Sequence, residues 1–199
     1  MKLFAFTDIH GNKEIIKKIK TEIKKENPDI LICAGDLSNF GEHFENLLLM
    51  FKPLKLPLLI IPGNHETADQ LRKICKKTEF AISLHRGLLK INNYIFLGYG
   101  EGGFNKEDKD FETLSKKFKK EIKKDSKTIL ITHAPPYKTR LDYLETTNSH
   151  HGNNSIRKFI EKAQPNLVIC GHLHENKHKI DKIKKTIILN PGNGKIIEL

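Results

Sequence analysis

The 199-residue chain sets 35 Lys and Arg against 24 Asp and Glu, for a formal charge of +11. That length fits one ordinary domain, large enough to bury about 70% of the surface its unfolded chain exposes. No apolar run approaches the ~20 residues that cross a bilayer, and the N-terminus meets Asp8 and His10 too early for a secretory leader, so a cytoplasmic protein without a membrane partner is expected.

Only Arg72, Arg86, Arg140 and Arg157 are Arg; the other basic residues are Lys, largely interleaved with Glu at helical spacing, as in Glu14–Lys20. This describes a solvated helix face rather than a nucleic-acid footprint, so a nucleic-acid partner is possible but not favoured. Cys33, Cys75 and Cys170 are odd in number and form no CxxC pair, which argues against both a thiolate zinc site and a disulfide framework. Cys33 and Cys170 end apolar runs, where a small buried hydrophobe belongs.

Apolar β-rich runs alternate with Lys/Glu amphipathic segments, the pattern of an α/β layered fold. In chain order we expect a strand at Lys2–Thr7, a helix at Lys13–Glu26 and a strand at Ile30–Cys33. A helix at Glu42–Phe51, a strand at Leu58–Ile61 and a helix at Ala68–Lys76 follow. Phe80–Leu84, Gly87–Ile91 and Tyr94–Leu97 read as three short antiparallel strands joined by tight turns. A helix at Lys106–Lys124 leads to a strand at Thr128–Thr132, and the stretch 134–152 fits no regular element. A helix at Asn154–Lys162 precedes a strand at Leu167–Cys170, and the tail suggests two or three strands turning at Asp181-Lys182 and at Pro191–Gly194. The whole of 1–199 is expected to form a single domain.

Five apolar strands each end in a polar cluster: Asp8-Ile9-His10, Gly35-Asp36, Gly63-Asn64-His65-Glu66, His133, and Gly171-His172-Leu173-His174. In open α/β sheets, ligand sites form outside the carboxyl ends of the strands, so these separate clusters can converge. A lone strand-end Asp is usually a cap, and Gly-Asn alone an ordinary turn. Five in order, each at a strand end, are not explained that way. His, Asp and Asn donors without thiolate suit Mn, Fe, Ni, Co or Zn rather than Ca or Mg alone. Asp36 can offer two oxygens and bridge two ions.

This set of motifs resembles that of the calcineurin-like metallophosphoesterases, from Lys2 to about Asn193. The resemblance implies two facing mixed β-sheets flanked by helices, a four-layer α/β/β/α sandwich. It implies one metal ion held by Asp8, His10, Asp36 and His174, and a second by Asp36, Asn64, His133 and His172, with Mn favoured. His65 is then no ligand but the proton donor to the leaving oxygen. Two such ions can activate a bridging hydroxide and clamp a phosphate during in-line attack, so the resemblance implies a phosphoesterase, with phosphodiesters the expected substrates. The segment Asp36–Gly41 lacks the Arg of the protein Ser/Thr phosphatases, and the domains added in repair nucleases do not fit this length. A nuclease and a non-catalytic metal-binding module are the alternatives, but none of the ligand positions is eroded.

The irregular stretch 134–152 starts directly after His133. Loops of such length are usually functional or disordered. With the Gly98–Phe104 turn it is expected to wall the pocket for a small phosphate ester, through Tyr137, Arg140 and His151.

Overall fold

Along β1 (Lys2–Phe6) the side chains alternate between two cores: Leu3 and Ala5 point to one, Phe4 and Phe6 to the other. This period of two is what a strand buried on both faces requires. The computed structural model describes residues 1–123 and 125–199. After β1 come α1 (Lys13–Glu26), β2 (Ile30–Cys33), α2 (Phe44–Leu49), β3 (Leu58–Ile60), α3 (Ala68–Cys75) and β4 (Ala81–Ser83). A second run follows with β5 (Gly87–Ile91), β6 (Tyr94–Tyr99), α4 (Lys109–Glu121) and β7 (Lys127–Thr132). The chain continues through β8 (Tyr143–Leu144), β9 (Ser149–His150), α5 (Asn154–Ala163) and β10 (Leu167–Ile169), then β11 (Ile180–Ile183), β12 (Thr186–Leu189) and β13 (Lys195–Glu198).

The strands form two large mixed sheets, ordered β13-β1-β2-β3-β4 and β11-β12-β10-β7-β6-β5, with β8-β9 a separate ribbon. Antiparallel strands occupy edges: β13 in the first sheet, β11 and β5 in the second. Three apolar clusters separate four layers. Ile32, Leu59, Phe96, Ile131 and Ile169 interleave between the sheets. Helices α1 to α3 cover the outer face of the first sheet through Ile16, Ile19, Leu47 and Leu71. Helices α4 and α5 cover the second through Phe111, Phe118, Ile156 and Phe159. Helix α1 shows how the sequence dictates this. Asn12 caps its first turn by accepting from the Glu14 and Ile15 N–H groups, and Ile16, Ile19 and Ile23 form its buried stripe.

Three expectations are corrected. Ala81–Ser83 does not join an antiparallel meander; it pairs parallel to β3, while only β5 and β6 form a hairpin. The reason is Leu84, which drops into the core between the sheets, so the chain crosses from one sheet to the other at 84–87. Helix α4 starts at Lys109 because the Asp108 carboxylate caps it, accepting from the Phe111 N–H at 2.9 Å. Its expected end at Lys124 lies outside the described residues. Asp181 and Lys182 sit inside β11; the turn falls after Ile183, where Lys184 takes a positive φ of 53°. Among the described residues no helix is long and apolar enough to cross a membrane.

Candidate metal centre

Parallel register is what brings the polar clusters together. Phe6 pairs with Cys33 and Cys33 with Ile60, so β1, β2 and β3 end level with one another. In the second sheet Ile131 pairs with Ile169, which brings His133 and the Gly171–His174 turn to the same edge. Backbone bonds then join turn to turn. Ile9 and His10 both donate to the Asp36 carbonyl, at 2.8 and 2.9 Å, and Gly11 donates to Leu37 at 2.9 Å. Asp8, His10, Asp36 and His172 all hold positive φ, between 49 and 74°. Such backbone is uncommon outside glycine, and it clusters where surrounding contacts over-determine a functional geometry.

The donor atoms converge on Asp36. His10 Nε2 and His174 Nε2 face each other at 2.9 Å, and His174 Nε2 lies 3.7 Å from Asp8 Oδ1. Asp36 Oδ2 is 3.8 Å from His10 Nε2 and 3.3 Å from His133 Nε2. His133 Nε2 also meets Asn64 Oδ1 at 3.0 Å, while its Nδ1 is held by the Ala34 carbonyl at 2.9 Å. The His172 ring packs against His133 with centroids 5.2 Å apart. Close approach depends on glycine at two places. A Cβ on Gly63 would sit 1.9 Å from Asp36 Oδ1, and one on Gly171 would sit 2.1 Å from Thr7 Oγ1 and 2.7 Å from Asp8 Oδ2.

Electrostatics follow from burial and pairing. Burial pushes the Asp36 carboxyl up, but His133 and the His65 N–H outweigh it and hold the group below the usual carboxylate range. Burial likewise opposes charge on His133, and the Asp36 contact overcomes it and raises the ring's pKa. His172 goes the other way: burial, then the charge of His133, lowers it to about 4. His10 is lowered too, mainly by burial.

With its pKa near 4 the His172 ring is neutral at pH 7, and among the described residues its buried Nε2 has no hydrogen-bond partner. A buried polar atom left unpaired is costly, and a neutral imidazole nitrogen is a metal donor. Asp8, His10 and His174 offer ligand atoms within 4.8 Å of one another, as do Asp8, Asp36 and His133. Nitrogen and oxygen donors at this spacing fit divalent transition metals, so the residues present fit the cofactor that the sequence motifs imply.

His65 stands beside the donors. Its backbone N–H donates to Asp36 Oδ1 at 2.9 Å, and its Nε2 is 4.0 Å from Asp36 Oδ2. Above the donors opens a cleft of about 480 Å³, lined by His10, Asp36, Asn64, His65, His172 and His174 together with Asn39, Phe104, Leu144, Leu173 and Glu175. Of the three residues expected to contact substrate, His151 lies behind Phe104, ring centroids 6.1 Å apart. Tyr137 and Arg140 do not line this cleft. The Tyr137 ring packs on His150, and the exposed Arg140 donates its backbone N–H to Asp181. The 134–152 stretch reaches the cleft through Leu144, on the short β8-β9 ribbon. Buried Asp142 organises that ribbon, accepting from the N–H groups of Lys138, Thr139 and Gly152.

The sequence assigns no role to Glu66 or Phe40, and Phe104 enters only as the end of the turn expected to wall the pocket. Buried Glu66 accepts from the N–H groups of Asp36, Ser38 and Gly63 and from the Ser38 hydroxyl, tying two ligand turns together. Burial and the nearby Asp36 raise its pKa. Its place directly after Gly63-Asn64-His65 was the available signal. Phe40 follows the Asp36 turn and Phe104 follows Gly102-Gly103, but an isolated Phe carries no periodic signature.

A family model described as calcineurin-like phosphoesterase matches residues 1–176. An uncharacterized protein of Methanocaldococcus jannaschii is 32% identical over 204 residues, covering 96% of this chain and 88% of that protein. The glycerophosphodiester phosphodiesterase GpdQ of Enterobacter lignolyticus is 26% identical over 192 residues, covering 87% of this chain and 65% of the relative, just under two thirds of its length. Among solved structures, TT1561 of Thermus thermophilus superposes with a TM-score of 0.75 at 17% identity, covering 96% of this chain and 88% of that one, a likeness of fold.

Proposed function

This chain belongs to the calcineurin-like phosphoesterase family of metal-dependent hydrolases, and from that premise we propose that it hydrolyses small phosphodiesters at two divalent ions. One observation supports the reading: Asp36 Oδ2 stands within 3.8 Å of His10 Nε2 and 3.3 Å of His133 Nε2, members of two donor sets, and the second set includes His172, whose Nε2 has no hydrogen-bond partner among the described residues. Asp8, His10, Asp36 and His174 would hold one ion; Asp36, Asn64, His133 and His172 would hold the other. Mn is favoured among Mn, Fe, Co, Ni and Zn. When bound, such a pair supplies Lewis acidity that activates water and screens the charge of the phosphate.

The chain's own residues do the rest. Asp36 sets the spacing of the two sites, and Glu66 fixes the backbone that carries it. His65 Nδ1 accepts the Phe40 N–H at 3.3 Å, which leaves Nε2, the atom turned toward Asp36, as the ring nitrogen that faces the cleft with its proton. That N–H would hydrogen-bond the leaving oxygen; to hand over a proton the ring would act in its imidazolium form and return to neutral imidazole as the alkoxide departs. The substrate is a small ester: the cleft holds about 480 Å³.

The test is reconstitution with Mn, followed by metal analysis and assay on phosphomonoesters, phosphodiesters and single-stranded nucleic acid. We expect two ions per chain and the fastest turnover on a small diester. One ion, or no diester hydrolysis by the fully loaded protein, sinks the proposal.

A further inference from the structure

Among the described residues the two most exposed large hydrophobic side chains are both phenylalanines, Phe40 at 74% and Phe104 at 63%. The other phenylalanines are buried or partly buried. Both exposed rings rest on histidines of the cleft. Phe40 lies against His65 at a centroid distance of 4.2 Å, and Phe104 meets His172 edge-on at 4.4 Å.

Neither position is one that folding would choose for Phe. Phe40 and Gly41 are the central residues of a tight turn closed by the Glu42 N–H on the Asn39 carbonyl at 3.0 Å, with φ of 49 and 76°. Two consecutive positive φ values suit Asn-Gly, and a bulky side chain there is an outlier. Phe104 follows Gly102 and Gly103, and a Cβ on Gly103 would sit 3.7 Å from Asn64 and 3.9 Å from His172. The segment lies directly over two proposed ligands and ends in an exposed ring.

We propose that Phe40 and Phe104 are stacking platforms for flat groups on the two ester arms of the substrate, which makes dinucleotide-like diesters the preferred class. The proposal rests on the phosphodiesterase reading above. With the phosphate at the shared donors, the departing oxygen lies at His65, and the arm beyond it crosses Phe40. The other arm extends past His172 under Phe104. Aromatic faces accept any base, because every base offers a π-face. No Lys or Arg is among the residues lining the cleft, so a polymer that needs several phosphate contacts has no cationic track there.

The readout is selectivity: kcat/KM for a dinucleoside monophosphate divided by that for a glycerophosphodiester, on Mn-reconstituted protein. At the loss typical of one base–aromatic stack, Phe40→Ala and Phe104→Ala each lower this ratio about tenfold. Phe104→Leu, apolar but not flat, lowers it as much, and Phe104→Tyr preserves it. An unchanged ratio in both Ala variants, or full rescue by Leu, overturns the assignment. So does faster cleavage of long single strands with steep salt dependence. If no diester is cleaved, the phosphodiesterase reading fails, and the platforms are tested separately by calorimetric binding of a nucleoside monophosphate to the metal-loaded protein. A Kd about tenfold weaker in Phe104→Ala upholds the stacking role; an equal Kd overturns it.

Discussion

The floor and the walls of the cleft are built by different rules. On the floor, Asp8, Asp36 and His133 are almost fully buried, at 0 to 2% exposure, and each is fixed by turns that follow parallel strands of matched register. On the walls, Phe104 and Leu144 stand on a glycine-rich segment and a two-residue ribbon, and Phe40 stands beside them on a tight turn against His65. The floor is over-determined: backbone bonds link Asp8 to Gly35 and His10 to Asp36, and Glu66 braces the Asp36 and Gly63 turns from behind. A wall residue has few such restraints. The molecule thus sets tightly fixed strand ends against more loosely held loops, the general division between scaffold and connecting segments.

The largest effect should come from breaking the floor at its centre. Asp36→Asn removes the charge that both donor sets share and leaves His133 buried without its ionic partner at 3.3 Å. Metal content should fall from two ions to one or none. Activity should drop by more than the ~10–100-fold that follows loss of a merely supporting partner. The far-UV circular dichroism should stay that of the parent, because Asp36 lies beyond the end of β2 and outside the three apolar clusters. Retention of both ions with near-parent activity would refute the shared role of Asp36.

His65→Ala comes next, and separates the floor's two duties. Its ring is no proposed ligand, so both ions should remain. On a diester with a poor alkyl leaving group kcat should fall about 10²–10⁴-fold, the range of a lost general acid. A nitrophenyl ester, whose leaving group needs little proton help, should lose much less. Equal losses on both substrates, or loss of an ion, would reassign the His65 ring to positioning Asp36, whose Oδ2 lies 4.0 Å from its Nε2.

The same division explains what the sequence disclosed. Asp8, His10, Asp36, Asn64, His133, His172 and His174 were legible because each follows an apolar run, and strand ends in parallel sheets share an edge. Alternating strands and amphipathic helices made an α/β layered fold legible, while the two facing sheets were implied by the family resemblance. What escaped depended on three-dimensional crossings. Ala81–Ser83 resembles the strands after it in composition, and only Leu84 entering the core between the sheets separates them. Glu66 looks like one acidic residue among 24 Asp and Glu until four donors converge on it. Of the walls, the Gly98–Phe104 turn was expected and Phe104 lines the cleft, but Phe40 obeys no period and the exposure of both rings contradicts what a Phe in a sequence suggests.

The smallest effect should come from Tyr137 and Arg140, where the comparison can be sharpened. A Tyr and an Arg shortly after a ligand histidine invite a role in gripping substrate, one stacking and the other forking onto a phosphate oxygen. The path of the chain decides otherwise for the cleft described here. Residues 134–136 are buried, so the segment dives past His133 before it surfaces at Lys138. By then Tyr137 has turned to pack on His150, and Arg157 holds the Tyr137 and Lys138 carbonyls at 2.8 Å. Arg140 is exposed, and its backbone N–H is anchored on Asp181 at 2.8 Å. Tyr137→Ala and Arg140→Ala should therefore keep both ions and stay close to the parent in KM on small diesters, with Arg140→Ala also near-neutral in stability, as surface changes are, within about 0.5 kcal/mol. A rise of tenfold or more in KM for either variant, with metal content intact, would mean that substrate extends along the 134–152 segment beyond Leu144. The wall would then include the very residues that the fold turns aside.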